Sequence, residues 1–242
     1  DVERSRGLGD VYKRQLKLTG ELSKIGMGGN WGTFINNKKI TKCDLTGVTG
    51  WGRTPTLPEL AFMNCTALQE VTLPDDVRVI GSSAFFGCAA LTTVNLSQVT
   101  WINLNAFWGC TSLETLALDN VTAIGQEAFY GCTGLETLKI PKCTRFGNYI
   151  VTGCKALTRI EATATGDFLD IIGNSSIENY AVFHNRDTHS GENAFAPARC
   201  DLVLNTDKQE DGTAVPKVSG NNRWTLAANA SPMMWKNITF RQ

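Results

Sequence analysis

Eight cysteines are the residues of this chain with the widest chemical potential, because thiolates bind metals, form disulfides and act as nucleophiles. Five of them recur every 22 or 23 residues: Cys65, Cys88, Cys110, Cys132 and Cys154. No C-x-x-C pair occurs, so the spacing does not match a zinc motif. Residues in one column of a repeat also point in parallel, which suits neither a disulfide nor a tetrahedral metal site. We predict that these thiols are small buried core residues.

The other candidates for chemistry are weaker. His184 and His189 flank Asp187 in a polar segment, where histidines are more often solvated than bound to metal. The glycine-rich residues 26–32 lack both the G-K-[ST] ending of a phosphate-binding loop and the dinucleotide glycine spacing. Neither G-x-S-x-G nor H-E-x-x-H occurs. We therefore expect no metal, no cofactor and no catalytic activity.

The segments that position the cysteines repeat with the same period. Residues 80–88 and 124–132 both read I-G-x-x-A-F-x-G-C. After each cysteine comes an L-x-x-L-x-L run, whose L-x-L step has the period of two of a short strand with one buried face. The three apolar columns are Leu91, Leu113, Leu135 and Leu157, then Val94, Leu116, Leu138 and Ile160, then Leu96, Leu118 and Ile140.

The rest of each unit has a helical spacing. Ala84, Phe85, Cys88 and Leu91 fall at i, i+1, i+4 and i+7, which predicts a short helical turn. A unit of about 22 residues cannot bury its own apolar face. We therefore predict about five or six units that stack with their strands side by side in a parallel sheet.

This pattern resembles leucine-rich repeats, and over residues 40–162 the I-G-x-x-A-F-x-x-C segment resembles the BspA-like subclass. The resemblance implies an α/β repeat fold: a right-handed solenoid with a short-stranded parallel sheet on the concave side and short helical turns on the other. It also implies secretion and display on a bacterial surface, with binding to host or neighbouring-cell ligands.

Outside the repeats the pattern weakens. Residues 1–15 resemble the translation of a sequencing-library adapter, which would make the chain a metagenomic fragment whose export signal was lost upstream. We expect residues 16–39 to form an N-terminal cap or irregular first repeat, and 163–199 a degenerate repeat or loop region. Residues 200–242 are predicted to form a C-terminal strand and cap, since an open solenoid end exposes core and strand edges.

The charge balance argues against a polyanionic partner. The 242 residues contain 23 basic and 23 acidic side chains, so nucleic acid is not expected as a ligand. No apolar run reaches the ~18 residues of a membrane-spanning helix. We expect a monomer that lies outside the cell or on its surface.

Two surfaces are candidates for ligand binding. One is the outward face of the predicted strands, with Thr72, Thr93, Asn95, Thr115, Thr137, Lys139 and Arg159. The other is a column at the x of A-F-x-G-C, with Phe86, Trp108 and Tyr130. Threonine also suits strand backbones, and stacked rings also stabilise a solenoid, so each surface has a purely structural alternative.

Taken together, the repeat and the resemblance predict a non-catalytic binding or adhesion module that recognises a protein or glycan through the solenoid surface. Two alternatives remain open from the sequence. One is a structural or accessory module of a larger surface enzyme, and the other is an intracellular protein–protein scaffold.

Overall fold

The structure, a computed structural model, describes residues 15–21, 34–163, 200–205 and 237–241. This part of the chain contains fourteen β-strands and no helix. The strands are β1 (Gln15–Glu21), β2 (Lys42–Thr49), β3 (Thr56–Leu57), β4 (Glu70–Thr72), β5 (Val79–Ile80), β6 (Thr93–Val94), β7 (Trp101–Ile102), β8 (Thr115–Ala117), β9 (Ala123–Ile124), β10 (Thr137–Ile140), β11 (Arg145–Phe146), β12 (Arg159–Thr163), β13 (Asp201–Asn205) and β14 (Asn237–Arg241).

The strands form three hydrogen-bonded groups. Two of them, β1–β2–β4–β6 and β8–β10–β12–β13–β14, contain equivalent strands of successive turns and are together called the first sheet, which is interrupted between β6 and β8. The second sheet has the order β3–β5–β7–β9–β11. All pairings are parallel, and equivalent residues of successive turns are partners: Leu116 pairs with Leu138, and Leu138 with Ile160. The predicted parallel-strand solenoid is therefore confirmed.

The second sheet is absent from the sequence prediction, which assigns one strand to each unit. In β5 both Val79 and Ile80 are buried, and in β9 both Ala123 and Ile124 are buried. The alternation of apolar and polar residues that marks a half-buried strand is therefore missing from these strands. Each complete turn contains two strands, one in each sheet.

The A-F-x-G-C segments, called the turn segments below, are not helical, whereas the sequence spacing predicts a short helical turn. Cys88 N–H donates to Phe85 O three residues earlier (3.1 Å), whereas Phe85 N–H donates to Ala106 O (2.8 Å) and Gly87 N–H to Trp108 O (2.7 Å) in the next turn. A helix would keep these bonds within the segment. Left-handed residues recur at two columns, which prevents a continuous helix: Leu60, Ser83, Asn105, Glu127 and Tyr149 in one, and Asn36, Asn64, Gly87, Gly109, Gly131 and Gly153 in the other.

The core is a set of stacked columns. The leucine columns are buried, and beside them the phenylalanine rings of the turn segments stack with centroids 5.1–5.7 Å apart. The stacked residues are Phe34, Phe62, Phe85, Phe107 and Phe129. Because no single turn can bury such a ring alone, the stack ties each turn to its neighbours.

Within residues 34–163 the length of a turn varies at one corner of the coil. Lys42 pairs with Glu70, 28 residues further on, and Glu70 pairs with Thr93, 23 residues further on, whereas the pairs that join β8, β10 and β12 are 22 residues apart. The step from phenylalanine to the next first-sheet strand is constant, as in the nine residues from Phe62 to Val71. The step from the second-sheet strand to the phenylalanine is constant as well. The additional residues therefore lie at the corner that leads from the first sheet to the second.

Candidate ligand-binding surfaces

The outward face of the first sheet is polar and small at its centre. Thr93 and Thr115 are exposed, and Thr72 and Thr137 are half-buried, while alternate residues such as Val71 and Leu116 point into the core. This placement matches the predicted strand face. The remaining candidates on this face are Asn95, Lys139 and Arg159.

Both ends of the strand face carry ion pairs. At one end Lys42 Nζ lies 2.6 Å from Glu70 Oε2, in register on neighbouring strands. At the other end Arg159 Nε lies 2.6 Å from Glu161 Oε1, and Lys139 Nζ lies 4.0 Å from the same carboxylate. Since these side chains are partly exposed, the pairs stabilise the fold weakly. Two of the candidate cations, Lys139 and Arg159, are thus paired within the chain rather than left for an anionic ligand.

The first sheet is interrupted between β6 and β8. At the next boundary Glu136 N–H donates to Glu114 O (2.8 Å), but no equivalent bond joins Glu114 N–H to Thr92 O. The ladder also changes on the other side of β6, next to β4. There the side chain of Asn95 bonds to the main chain of Leu73: Leu73 N–H donates to Asn95 Oδ1 (2.6 Å), and Asn95 Nδ2 donates to Leu73 O (2.9 Å). The centre of the strand face therefore has backbone donors and acceptors that are not used by the ladder.

The aromatic column forms a second stack, parallel to the buried phenylalanines. Phe86 and Trp108 have centroids 4.4 Å apart with planes at 3°, and Trp108 and Tyr130 have centroids 5.3 Å apart with planes at 7°. All three are half-buried. Because the rings cover one another's faces, mainly their edges meet solvent. Thr152, the next residue of the column, is buried.

The largest apolar exposure lies outside both predicted surfaces. Among the described residues Trp101 and Leu104 are the large hydrophobic side chains with the greatest exposed fractions, 45% and 43%. The guanidinium carbon of Arg145 lies over the Trp101 ring, 5.9 Å from its centroid. Sequence reasoning missed this group because the second sheet itself was not predicted, so nothing indicated that β7 and β11 share a face.

The cysteines are confirmed as core residues. All eight are buried, and none forms a disulfide. In the turn segments each thiol donates to the carbonyl of the phenylalanine one turn earlier, as Cys110 Sγ does to Phe85 O at 3.1 Å. Equivalent bonds of 2.8–3.1 Å are made by Cys65, Cys88, Cys132 and Cys154.

Burial also suppresses the reactivity of these thiols. It raises the pKa of Cys43 and Cys143 to about 12 and that of Cys65 to about 11. Burial likewise raises the pKa of Cys110 and Cys154. The nucleophile and metal ligand is the thiolate, so protonated buried thiols are unsuited to either role at neutral pH.

The described part of the chain holds neither a metal-binding cluster nor a membrane-spanning helix. The described residues contain no group of three or more His, Cys, Asp or Glu side chains arranged to hold a metal ion. His184 and His189 lie outside the described residues. No helix of the described chain has the length and apolar character needed to cross a membrane.

The repeated columns, the turn segments and the parallel ladders agree with a known sequence family. The family model for the BspA type leucine rich repeat region matches residues 33–158 in six copies. The chain belongs to this family. No curated protein sequence matches the chain.

Several solved structures are similar to this BspA-type chain. The leucine rich repeat protein of T. pallidum is 25% identical with a TM-score of 0.47, covering 64% of this chain and 66% of that one. A leucine rich cell surface protein of Faecalibacterium prausnitzii is also 25% identical, with a TM-score of 0.41 and coverage of 61% and 42%. The pneumococcal vaccine antigen PcpA is 16% identical, with a TM-score of 0.45 and coverage of 95% and 45%. The chain spans less than two thirds of the length of each.

Proposed function

We propose that this chain is a non-catalytic binding module on a bacterial cell surface, which recognises a protein or glycan ligand through the outside of the solenoid. One observation carries the proposal: the columns that repeat are buried, whereas the exposed positions change from turn to turn. In one outward column of the first sheet, for example, Ala117, Lys139 and Glu161 succeed one another. A repeating core with a varied exterior is typical of solenoids that bind along an extended surface.

Membership of the BspA-type family supports surface display, as the resemblance implies. The proposal includes a right-handed winding with the first sheet on the concave side. Parallel strands of one sheet that are joined by a crossover are right-handed in nearly all proteins. Here the paired strands β2–β4, β4–β6, β8–β10 and β10–β12 are each joined by such a crossover through the second sheet and a turn segment.

The test is saturable binding by the full chain. The labelled chain would be titrated onto a glycan array and onto a display library of host extracellular protein fragments. We expect dose-dependent binding to at least one class, abolished when the chain is heat-denatured. A chain that binds neither array saturably would contradict the proposal.

The same arrays map the binding face with matched variants. Thr93→Arg with Thr115→Arg adds bulk and charge to exposed positions of the strand face, while Phe86→Ser with Tyr130→Ser breaks the aromatic column. Loss of binding in only one of the double variants would assign the ligand to that face. Circular dichroism of both variants checks that the fold is retained.

A further inference from the structure

The outer side of the second sheet has a composition unlike that of the strand face. Its outward positions in β5, β7, β9 and β11 are Val79, Trp101, Ala123 and Arg145, which are in register on successive strands. Val79 and Ala123 are only 6% and 5% exposed, although alternation along the strand places them on the side opposite the core residues Ile80 and Ile124. The larger side chains of this face lie on the strands next to them, β7 and β11.

Trp101 and Arg145 are those larger side chains. They are two strands apart, about 10 Å, with the small Ala123 between them. The Arg145 guanidinium crosses this gap and stacks over the indole at 5.9 Å from its centroid. Leu104 follows Trp101 by three residues and is 43% exposed. The result is a patch of one aromatic, one aliphatic and one cationic side chain, called the outer patch below.

The charge in the outer patch is available to a partner. Unlike Lys42, Lys139 and Arg159 on the strand face, Arg145 makes no ion pair with any described residue. The guanidinium has N–H groups in a planar fork that fits the two oxygens of a carboxylate. The patch therefore complements a negative charge that lies beside an apolar group.

The composition of the patch favours a protein over a glycan. Tryptophan and arginine are the residues most enriched at the centres of protein–protein interfaces. A sugar binds an aromatic side chain by lying on its ring face, but the guanidinium already covers a face of Trp101. Apolar side chains of a peptide can instead pack against the exposed indole edge and Leu104.

We propose that the outer patch, formed by Trp101, Leu104 and Arg145, binds a peptide segment of a partner protein in which Asp or Glu lies within a few residues of a large apolar side chain. The carboxylate pairs with Arg145, and the apolar side chain packs between Trp101 and Leu104. This inference rests on the proposed function, since it gives the binding module a face and a class of partner.

The experiment uses the full chain and a phage library of random dodecapeptides as the probe. We expect the selected peptides to share an acidic residue within about three positions of Leu, Ile, Phe or Trp. A synthetic consensus peptide is then titrated with the wild-type chain and its variants. Trp101→Ala and Arg145→Gln should each weaken binding at least about tenfold, and Arg145→Lys should weaken it less.

Two controls separate the outer patch from general effects. Arg53→Gln removes an exposed arginine at the corner before β3, and Thr115→Ala changes the strand face; neither should alter the affinity. Melting curves show whether each variant is folded, and both Trp101 and Arg145 are exposed enough to be replaced without opening the core.

Three outcomes overturn the inference: no enriched peptide, a consensus without an acidic residue, or an affinity that Arg145→Gln leaves unchanged. If the chain binds a glycan and Trp101→Ala has no effect on that binding, the binding-module proposal stands and the outer patch is excluded. If it binds neither peptides nor glycans, both proposals fail.

Discussion

At the boundary between β6 and β8 the two sides of the solenoid differ. On the turn side Phe85 N–H donates to Ala106 O at 2.8 Å, the rings of Phe85 and Phe107 stack at 5.1 Å, and Cys110 Sγ donates to Phe85 O. On the strand side β6 and β8 are unpaired. Since the second sheet is also paired across this boundary, through β5 and β7, the coil is continuous on the turn side and in the second sheet, and the strand side tolerates a local break.

The largest effect is expected from opening the turn side. Phe107→Ala removes a ring that stacks on both neighbours in the core, so we expect the free energy of unfolding to fall by ~3–5 kcal/mol. Trp108→Ala is the matched control: its ring stacks equally well but is half-buried, and it should cost no more than ~1–2 kcal/mol. Urea denaturation measures both, and equal losses would refute the different burial of the two columns.

Alkaline pH should lower the free energy of unfolding through buried thiols on both sides of the solenoid. The folded-state pKa is raised to about 11 for Cys65 on the turn side and to about 12 for Cys43 on the strand side, from an ordinary 9.0. Below pH 9 both states hold the proton and the stability is complete. As the pH rises above 9, only the unfolded thiols ionise, so the free energy of unfolding falls, by about 1.4 kcal/mol per pH unit for Cys43.

The control for this pH dependence is a variant with one thiol fewer. Between pH 9 and 11 the stability of Cys43→Ala should fall less steeply than that of the wild type, which removes the contributions of tyrosine and lysine from the comparison. Urea denaturation at each pH gives the two slopes. Parallel curves would show that Cys43 keeps an ordinary pKa in the folded protein.

A smaller effect is expected from backbone strain in the turn segment. Gly109 has φ 72°, so Gly109→Ala should cost about 1–2 kcal/mol, although the added Cβ would meet Gly87 Cα only at an ordinary 3.8 Å. Gly109→Asn should cost less, because Asn64 and Asn36 occupy the same column with φ 57° and 61°. If the two substitutions proved equal by denaturation, left-handed strain would not be the reason for glycine here.

The smallest effect is local and concerns the strand side alone. The amides of Glu114 and Thr115 have no ladder partner, whereas those of Glu136 and Thr137, one turn later, donate to Glu114 O. We expect the first pair to exchange hydrogen at least about tenfold faster than the second, with no change in global stability. Exchange followed by NMR resolves the four amides, and equal protection would mean that the ladder is closed in solution.

The sequence predicts the columns well and the connections poorly. Leu116, Leu138 and Ile160 are buried in register because a period of 22 residues leaves no other alignment. The spacing of Ala84, Phe85, Cys88 and Leu91 indicated a helix, but an apolar spacing does not report where each N–H donates. The repeated glycine before cysteine marks the left-handed column, and a left-handed residue in each turn segment is incompatible with a continuous helix.

The sequence repeat does not predict the features that distinguish one turn from the next. Thr92, Thr93 and Val94 read like their equivalents in other units, so nothing in the sequence marked the break after β6. The ladder also changes on the other side of β6, where Leu73 N–H donates to the side-chain Oδ1 of Asn95. The outer patch required knowing that Trp101 and Arg145 project from the same sheet.

Within residues 34–163 length variation is confined to one corner, which gives the solenoid a place to acquire new sequence. In the turn of β2 and β3 this corner already accommodates more residues than later turns do, while both sheets and the phenylalanine stack keep their register. A loop of foreign sequence grafted between residues 50 and 55 would be presented at the surface without shifting any column. Within one of the strands β4–β12 or within a turn segment, a single added residue would instead move the later apolar side chains of that turn out of line.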